Sequence, residues 1–209
     1  MEPRAWNVEL VVASDVDTRN AVYQFRLGLA AERGTAVDVL PGAYLLRNAI
    51  GLQDLLDPCA IVAAAIDRSS NAIVGAARTN HLREGSIPVY PELYELRTLP
   101  ATTWNASSVT TCWTMAPAFA CAKAVTQDHP AMRLAWTLYD IALQQRICHD
   151  FLDCSDEDVR FFARLGYRLV REIQHPVRGR SNLMRLDIYD WSYLAEIESP
   201  FLALARGVA

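Results

Sequence analysis

The chain has 209 residues and a formal net charge of −4, and 52 % of its residues are hydrophobic. These values exclude a largely disordered chain and give no indication of general nucleic-acid binding. A chain of this length can bury a sizeable core, and we expect a single domain over residues 1–209.

The N-terminal half predicts a strand, two helices and a hairpin. A strand is expected over 6–13, and the polar residues that follow it start a helix that ends at Gly34. The helical spacing of apolar residues predicts a second helix over 44–56. Two continuous apolar runs, 59–66 and 72–79, flank a polar turn and predict a buried antiparallel hairpin.

The C-terminal half predicts helices alternating with strands. A strand over 109–115 precedes a long helix over 131–151. Strands are expected over 167–176 and 182–189, and a short helix over 191–204 ends the pattern. The order of the elements predicts an α/β (α+β) domain with a mixed, mostly antiparallel central sheet flanked by helices.

A short aromatic segment joins the last long helix to the strand after it. Residues 161–168 read Phe-Phe-Ala-Arg-Leu-Gly-Tyr-Arg, and Ser155 and Asp158 stand three apart before them, as in a capping box that starts a helix. Gly166 can adopt the left-handed conformation that ends a helix. We therefore expect a buried helix-to-strand corner here.

Neither the cysteines nor the basic residues form a pattern that identifies a site. The five cysteines have no paired spacing and no zinc-site spacing, so we expect reduced thiols and no metal. Lys123 is the only lysine. This bias fits a GC-rich bacterial genome, unless the guanidinium groups bind phosphate or carboxylate. Because no apolar run approaches the ~20 residues of a membrane span and residues 1–7 lack the layout of a signal peptide, we expect a cytoplasmic protein.

Four segments, in a particular order, resemble those of a known family. The first is an early helix with Arg26 and Glu32, and the second is the acidic pair Asp54 and Asp57. The third is a hairpin whose second strand ends in Val-Gly-Ala-Ala-Arg at Arg78, and the fourth is the Phe-Phe-x-Arg-Leu-Gly-Tyr corner. Together they resemble the GNAT-like N-acyltransferases, which include N-acyl amino acid synthases, autoinducer synthases and lyso-ornithine-lipid synthases. The resemblance implies a GNAT-like acyltransferase fold.

The resemblance also implies where an acyl donor would bind. In the GNAT fold two neighbouring strands splay apart, and their backbone groups bind the pantetheine arm of the donor. The matching positions here are Trp113, Thr114 and Met115, and the N–H of Ala116 is a candidate oxyanion donor. No tightly bound cofactor is implied, since the acyl group would arrive on the phosphopantetheine of an acyl carrier protein or on coenzyme A.

Three charged residues are candidates for chemistry on the acceptor. Glu32 and Asp57 could bind or deprotonate an acceptor amine, although helix ends and Asp-Pro turns often carry carboxylates without a function. Arg78 ends an apolar strand, where an unpaired guanidinium would be costly. It is therefore expected to pair with a carboxylate such as Asp54 or Asp57, or to bind an acceptor carboxylate bidentately.

Two departures from the family's patterns bear on the donor and the acceptor. GNAT enzymes that use coenzyme A hold its pyrophosphate on a glycine-rich loop at a helix start, but no glycine occurs between Gly85 and Gly166. This absence favours an acyl carrier protein as donor. Homoserine-lactone synthases resemble one another in a Glu-x-x-Arg strand, whereas the matching residues 109–112 read Val-Thr-Thr-Cys. This difference favours an N-acyl amino acid synthase, or another acyltransferase of the wider group, over a homoserine-lactone synthase.

These observations together predict an enzyme that moves a fatty acyl group from an acyl carrier protein onto the amino group of a small acceptor, such as an amino acid. Two alternatives stay open. One is an acetyltransferase that uses acyl-coenzyme A, and the other is a non-catalytic GNAT-shaped binding or tailoring module of a natural-product pathway. The sequence ranks neither acceptors nor chain lengths.

Overall fold

The computed structural model describes most of the chain, and among these residues there are nine strands and five helices. The described residues are 7–32, 45–48, 51–54, 57–82, 94–99, 107–120, 128–175 and 179–205. The strands are β1 (Val8–Val12), β2 (Leu45–Asn48), β3 (Gly51–Asp54), β4 (Ile61–Asp67), β5 (Ala72–His81), β6 (Ser108–Met115), β7 (His149–Cys154), β8 (Arg168–His175) and β9 (Gly179–Asp187). The helices are α1 (Val16–Glu32), α2 (Pro130–Gln144), α3 (Asp156–Leu165), α4 (Trp191–Glu196) and α5 (Leu202–Ala205).

The strands form a seven-stranded sheet in the order β1-β4-β5-β6-β7-β9-β8, and β2 and β3 pair separately. Strand β1 is antiparallel to β4, β9 is antiparallel to both β7 and β8, and β6 is parallel to β7. The predicted mixed, mostly antiparallel sheet is thus confirmed. No helix in the described part of the chain is long and apolar enough to cross a membrane.

The chain divides into two compact units, so the prediction of a single domain stays a prediction. The first unit contains residues 1–78 and 113–135, and the second contains residues 79–112 and 136–209. In the first unit, the Asp15 carboxylate accepts a hydrogen bond from the Thr18 N–H at 2.7 Å and thereby starts α1. Helix α1 packs on β4 and β5 in a core of small side chains: Ala13, Val22, Ala60, Val62, Ala64 and Ala76.

The helix predicted over 44–56 is wrong, because this segment contains the antiparallel strands β2 and β3. The reason lies at Gly51, whose φ of +146° is incompatible with a helix. A Cβ at this position would lie 2.5 Å from the backbone carbonyl carbon of Tyr23 in α1. The close approach of two backbones, which apolar spacing does not encode, therefore sets the conformation.

The second unit corrects one further prediction. The helix predicted over 131–151 ends at Gln144, and its last residues belong to β7 instead. Arg146 has a φ of +55°, which breaks the helix. Strand β7 was missed because Asp150 and Asp153 are buried in it, whereas sequence patterns treat carboxylates as exposed residues.

The corner after α3 agrees with its prediction in all but one detail. Gly166 has a φ of +118°, and its N–H donates to the carbonyl groups of Phe162 and Ala163, which ends the helix. The predicted capping box is wrong, since the Ser155 hydroxyl donates to the Asp158 carboxylate at 3.1 Å and its oxygen accepts no hydrogen bond from a backbone N–H of the helix. The final helix is also divided into α4 and α5.

Candidate active site

The first unit contains a buried ion pair between Arg26 of α1 and Asp57. The Asp57 side chain is fully buried, and Nη1 of Arg26 donates to both of its carboxylate oxygens, at 2.9 and 2.8 Å. Arg19, two helical turns before Arg26, donates to the carbonyl oxygens of Asp57 and Ala60 at 2.8 and 2.9 Å. Two arginines of one helix thus fix both the turn before β4 and its carboxylate.

Arg78 is the second buried guanidinium of this unit, with 2 % of the residue exposed. Alternation along β5 places its side chain on the same face as Ala76, which packs in the core with Val22 of α1. Arg26 lies one helical turn after Val22 on the same helix. Arg78 and Arg26 therefore both belong to the layer between α1 and the sheet. A buried cation is tolerated only with polar or anionic partners, and for Arg26 that partner is Asp57.

The structure places the two predicted acidic residues very differently. Asp57 is buried and held by Arg26, whereas Glu32 is exposed at the last residue of α1. The described structure therefore does not bring Glu32 into the buried pair. The side chain of Asp54 lies outside the described residues. The roles of Glu32, Asp57 and Arg78 toward a substrate stay predictions.

Strand β6 pairs with β7 over only part of its length. The ladder consists of three residue pairs and ends at Thr110 and Phe151, although both strands continue. Trp113 and Thr114, beyond this point, are partly exposed, whereas Met115 is buried. The family resemblance implies such an early end of pairing for a donor-binding strand, and binding of pantetheine at these residues stays a prediction.

The N–H of Ala116, which the sequence predicted as an oxyanion donor, already has an acceptor. It donates to the carbonyl oxygen of Val74 at 3.1 Å. Met115 next to it lies against Gly75, where an added Cβ would collide with the methionine sulfur. An oxyanion at this position would have to share the N–H with Val74.

The start of α2 is capped by a buried histidine. Nδ1 of His129 accepts a hydrogen bond from the Ala131 N–H at 3.2 Å, and its carbonyl oxygen accepts from the Arg133 N–H at 3.0 Å. Pro130, between them, has no N–H to donate. Burial lowers the pKa of His129, which favours a neutral imidazole. This helix start therefore offers an anion fewer N–H groups than a glycine-rich loop would.

The second unit contains a buried polar cluster that the sequence did not reveal. Asp150 of β7 accepts hydrogen bonds from the Tyr167 hydroxyl at 2.5 Å and the Thr111 hydroxyl at 2.9 Å. The Thr111 hydroxyl also lies 3.0 Å from that of Thr79. Burial raises the pKa of Asp150 to about 7, against the opposing effect of its hydrogen bonds.

A second buried carboxylate occupies the opposite face of β7. Asp153 accepts a hydrogen bond from the Tyr94 hydroxyl at 2.8 Å, and Thr110 donates to the same hydroxyl at 3.4 Å. The only sequence signal for either cluster is the repetition of carboxylates between the apolar residues of 149–154. That spacing equally fits an exposed helix end, and for this reason the sequence did not reveal either of the two polar clusters.

The described residues provide no candidate metal centre, because no group of three or more His, Cys, Asp or Glu side chains comes together among them. Four of the cysteines are described and all four are free thiols: Cys59, Cys112, Cys148 and Cys154. Two arginines near the C-terminal end of the sheet are paired within the chain, since Arg180 contacts Glu172 at 2.6 Å and Arg185 contacts Asp187 at 3.0 Å.

Comparison with known proteins identifies the fold. The sequence matches no protein-family model and no curated protein. FeeM, an N-acyl amino acid synthase from uncultured soil microbes, has a similar structure, with a TM-score of 0.63 and 12 % identity over 94 % of this chain and 97 % of FeeM. TofI, solved with an inhibitor and MTA, has a TM-score of 0.64 and 14 % identity over 95 % of this chain and 99 % of TofI.

An acetyltransferase is also similar in structure, with a lower TM-score. The putative acetyltransferase yncA from Salmonella typhimurium, solved with its cofactor acetyl-CoA, has a TM-score of 0.54 and 13 % identity over 88 % of this chain and 95 % of that protein. The fold of this protein is accordingly that of the GNAT-like N-acyltransferases, as the sequence resemblance predicted. Structural similarity at such low sequence identity establishes the fold alone, and the activity has to be argued from the site.

Proposed function

We propose that the protein is an N-acyltransferase that moves a fatty acyl group from the thioester of an acyl carrier protein to the amino group of a small acceptor, such as an amino acid. The observation that carries this proposal is the similarity to FeeM over nearly the whole of both chains. The buried arginines of the first unit agree with it, because an amino acid acceptor brings a carboxylate that needs a cationic partner.

In this proposal Arg78 binds the carboxylate of the acceptor. Its burial makes such a contact strong, since a charged hydrogen bond is screened less inside a protein than in water. Asp57, whose charge is compensated by Arg26, and Glu32 at the end of α1 are the candidates for contacts to the amino group. The acceptor would thus be fixed at both of its charged ends before the reaction.

The donor is proposed to bind along the end of β6, at Trp113, Thr114 and Met115. The amine then attacks the thioester carbonyl carbon, and the C–S bond breaks as the thiol leaves. The Ala116 N–H is the proposed donor to the oxyanion that forms in between. Positioning alone can supply much of the acceleration, so a covalent enzyme intermediate is not required.

The start of α2 supports an acyl carrier protein over coenzyme A. The neutral His129 occupies one first-turn N–H, and Pro130 removes another. A pyrophosphate would therefore find few donors here. The alternative donor, acyl-coenzyme A, rests on similar structures: MesI is a CoA-dependent acyl-homoserine lactone synthase, with a TM-score of 0.59 and 17 % identity, and yncA was solved with acetyl-CoA.

The test is an assay of purified protein with acyl donors of several chain lengths and a panel of amino acids, read by mass spectrometry. We expect N-acyl amino acid from acyl carrier protein, and we expect acyl-pantetheine and acyl-coenzyme A to react within about tenfold of each other, because the nucleotide adds little binding. A large preference for acyl-coenzyme A would instead support the acetyltransferase alternative.

Two variants identify the contribution of the proposed site. Arg78→Ala should raise the KM for amino acid acceptors about tenfold or more, because a charge-assisted hydrogen bond of a few kcal/mol is lost. Arg180→Ala is the control, since Arg180 is an exposed arginine that pairs with Glu172. If no donor and no acceptor gives product, the protein is a non-catalytic module and the proposal is wrong.

A further inference from the structure

A buried carboxyl group of the second unit has only neutral hydrogen-bond partners. The Tyr167 hydroxyl lies 2.5 Å from Oδ2 of Asp150, and the Thr111 hydroxyl lies 2.9 Å from its Oδ1. The register partners of Asp150 on β6 and β9 are the apolar Val109 and Leu186. None of the ion pairs between described residues includes Asp150. Because a buried carboxylate without a cation is costly, these surroundings favour the neutral acid.

The carboxyl group stands at one end of a chain of hydroxyl groups. Thr79 of β5 and Thr111 of β6 lie on neighbouring strands with their oxygens 3.0 Å apart, and Thr111 continues the chain to Asp150. All three residues, and Tyr167, belong to the second unit. Asp150 and Thr111 are buried, whereas Thr79 is partly exposed. The chain therefore leads from the buried carboxyl group to a hydroxyl that water can reach.

Counting protons fixes the direction of these hydrogen bonds when Asp150 is ionised. A carboxylate can only accept, so Thr111 donates its single hydroxyl proton to Oδ1 and Tyr167 donates to Oδ2. Thr79 must then donate to the oxygen of Thr111. The Thr79 oxygen is left with lone pairs, to which water can donate.

The direction reverses when Asp150 carries a proton. The Tyr167 hydroxyl has no other partner among the described residues, so it still donates to Oδ2, and the carboxyl proton has to lie on Oδ1. Oδ1 then donates to Thr111, Thr111 donates to Thr79, and Thr79 donates to water. Every group is satisfied in both states, and only the partly exposed hydroxyl changes what it offers to water.

We propose that Asp150 is a pH switch of the fold: it is a neutral acid in the folded protein at mildly acidic pH, and its ionisation reverses the chain to Thr79 and destabilises the protein. Through Tyr167 the switch also includes the corner between α3 and β8. It is independent of the proposed function, because it involves no substrate.

The pH range of the switch follows from the pKa of Asp150. Burial raises this pKa to about 7, against the opposing hydrogen bonds of Tyr167 and Thr111. An aspartate in an unfolded chain has a pKa of about 4. The folded protein therefore binds the proton more tightly than the unfolded chain. The resulting stabilisation is complete below about pH 4 and is lost as the pH rises to about 7.

Two tyrosines in the surroundings of Asp150 stay neutral over this range. Burial, and then the nearby Asp150, raise the pKa of Tyr167 well above its usual value, so it remains a donor. Tyr139 of α2 donates to the carbonyl oxygen of Ile188, just beyond β9, and burial raises its pKa to about 12. Neither hydroxyl can therefore imitate the titration of the carboxyl group.

Two histidines flank the chain in sequence, and imidazole is the side chain whose charge changes near neutral pH. His149 precedes Asp150 on β7, so its side chain lies on the opposite face of the sheet, where it pairs with Asp187 at 2.8 Å. His81 lies two residues after Thr79, on the same face of β5. His81 is therefore the histidine whose charge needs a control.

Carbon-13 NMR of the aspartate carboxyl groups tests the switch directly. We expect one resonance that titrates near pH 7, that is missing in Asp150→Asn and that is kept in Asp153→Asn, which changes the other buried carboxylate of β7. Thr111→Val should move this titration to higher pH, because a hydrogen bond that favours the ionised form is lost. His81→Gln should leave it in place. An Asp150 carboxyl group that titrates near 4, or a titration that disappears in His81→Gln, would show that the proposal is wrong.

Stability measured against pH tests the consequence of the switch. The amide of Asp150→Asn can donate to Thr111 and accept from Tyr167, as the neutral acid does, but it cannot ionise. The urea midpoint of the wild type relative to that of Asp150→Asn should therefore fall as the pH is raised from about 5 to about 8. Asp153→Asn should instead run parallel to the wild type. A constant difference between the wild type and Asp150→Asn over this range would overturn the proposal.

The comparison of variants removes the effect of other groups that titrate. Burial lowers the pKa of His129, so its contribution to stability rises with pH and has the opposite sign to that of Asp150. This contribution is present in the wild type and in the variants alike and cancels in the difference. If Asp150→Asn does not fold, the NMR titration of Thr111→Val decides: a shift to higher pH supports the switch, and an unchanged titration contradicts it.

Discussion

Two buried carboxylates of this protein are stabilised by opposite means. Asp57 is bound by the charged guanidinium of Arg26, and this pairing favours the ionised form. Asp150 is bound by two neutral hydroxyls, and burial raises its pKa to about 7. The first arrangement holds a fixed charge in place, whereas the second allows a proton to be exchanged near neutral pH.

Removing one partner of the Arg26–Asp57 pair should destabilise the protein strongly. Asp57→Asn leaves the Arg26 charge buried with a neutral partner, and we expect a loss of about 3–5 kcal/mol in the free energy of unfolding. Urea denaturation monitored by circular dichroism measures it. Removing both partners with Arg26→Met and Asp57→Leu should cost less than the single change, because no uncompensated charge is left.

The matched control is the exposed pair of Arg180 and Glu172, whose side chains are 65 % and 56 % exposed. Arg180→Ala should change the free energy of unfolding by less than about 1 kcal/mol. Equal effects of Arg180→Ala and Asp57→Asn would contradict the buried geometry of the Arg26 pair.

The sequence led to part of the candidate site and missed the rest for a physical reason. Arg26, Asp57 and Arg78 belong to motifs whose residue types and order are visible in the chain, and the structure buries all three. Asp150 and its hydroxyl partner Thr111 belong to no such motif. Three-dimensional pairing of strands far apart in sequence brings them together, and a polar residue in an apolar run does not indicate on its own that it is buried.

At the scale of the elements, backbone constraints decided where prediction from the sequence succeeded. Strand β6 and helix α3 were predicted correctly because their apolar spacing and terminal residues agree with each other. The hairpin of β2 and β3 was predicted as a helix, since only the contact of Gly51 with the backbone of α1 shows that a helix cannot form.

Two glycines associated with α1 should respond to alanine in opposite directions. Gly28 lies within the helix and an added Cβ would meet no atom within 4 Å, so Gly28→Ala should stabilise the protein by about 0.5–1 kcal/mol. Gly51→Ala would place a Cβ 2.5 Å from the Tyr23 backbone at a φ of +146°, and should destabilise it by about 2 kcal/mol or more.

Thermal unfolding of the two variants beside the wild type is the measurement. A Gly51→Ala protein as stable as the wild type would contradict the hairpin and would favour the helix that the sequence predicted over 44–56. Destabilisation by Gly28→Ala would indicate that α1 is more closely covered at this position than the structure shows.

At the scale of the whole molecule, two strands belong to both compact units. The division between the units falls after Arg78, within β5, after Cys112, within β6, and after Ala135, within α2. The similarity to FeeM and TofI also extends over both units, since it covers at least 94 % of the chain.

We therefore expect the chain to unfold in one cooperative transition, with equal calorimetric and van't Hoff enthalpies. Asp57→Asn changes the first unit and Asp153→Asn the second, and each should lower the midpoint of the same single transition. Two transitions, each shifted by only one of the variants, would show that the units unfold independently and that the prediction of a single domain is wrong. A single transition shifted by both variants means that a change in either unit alters the population of the fully folded protein, so activity losses in site variants have to be compared at equal folded fraction.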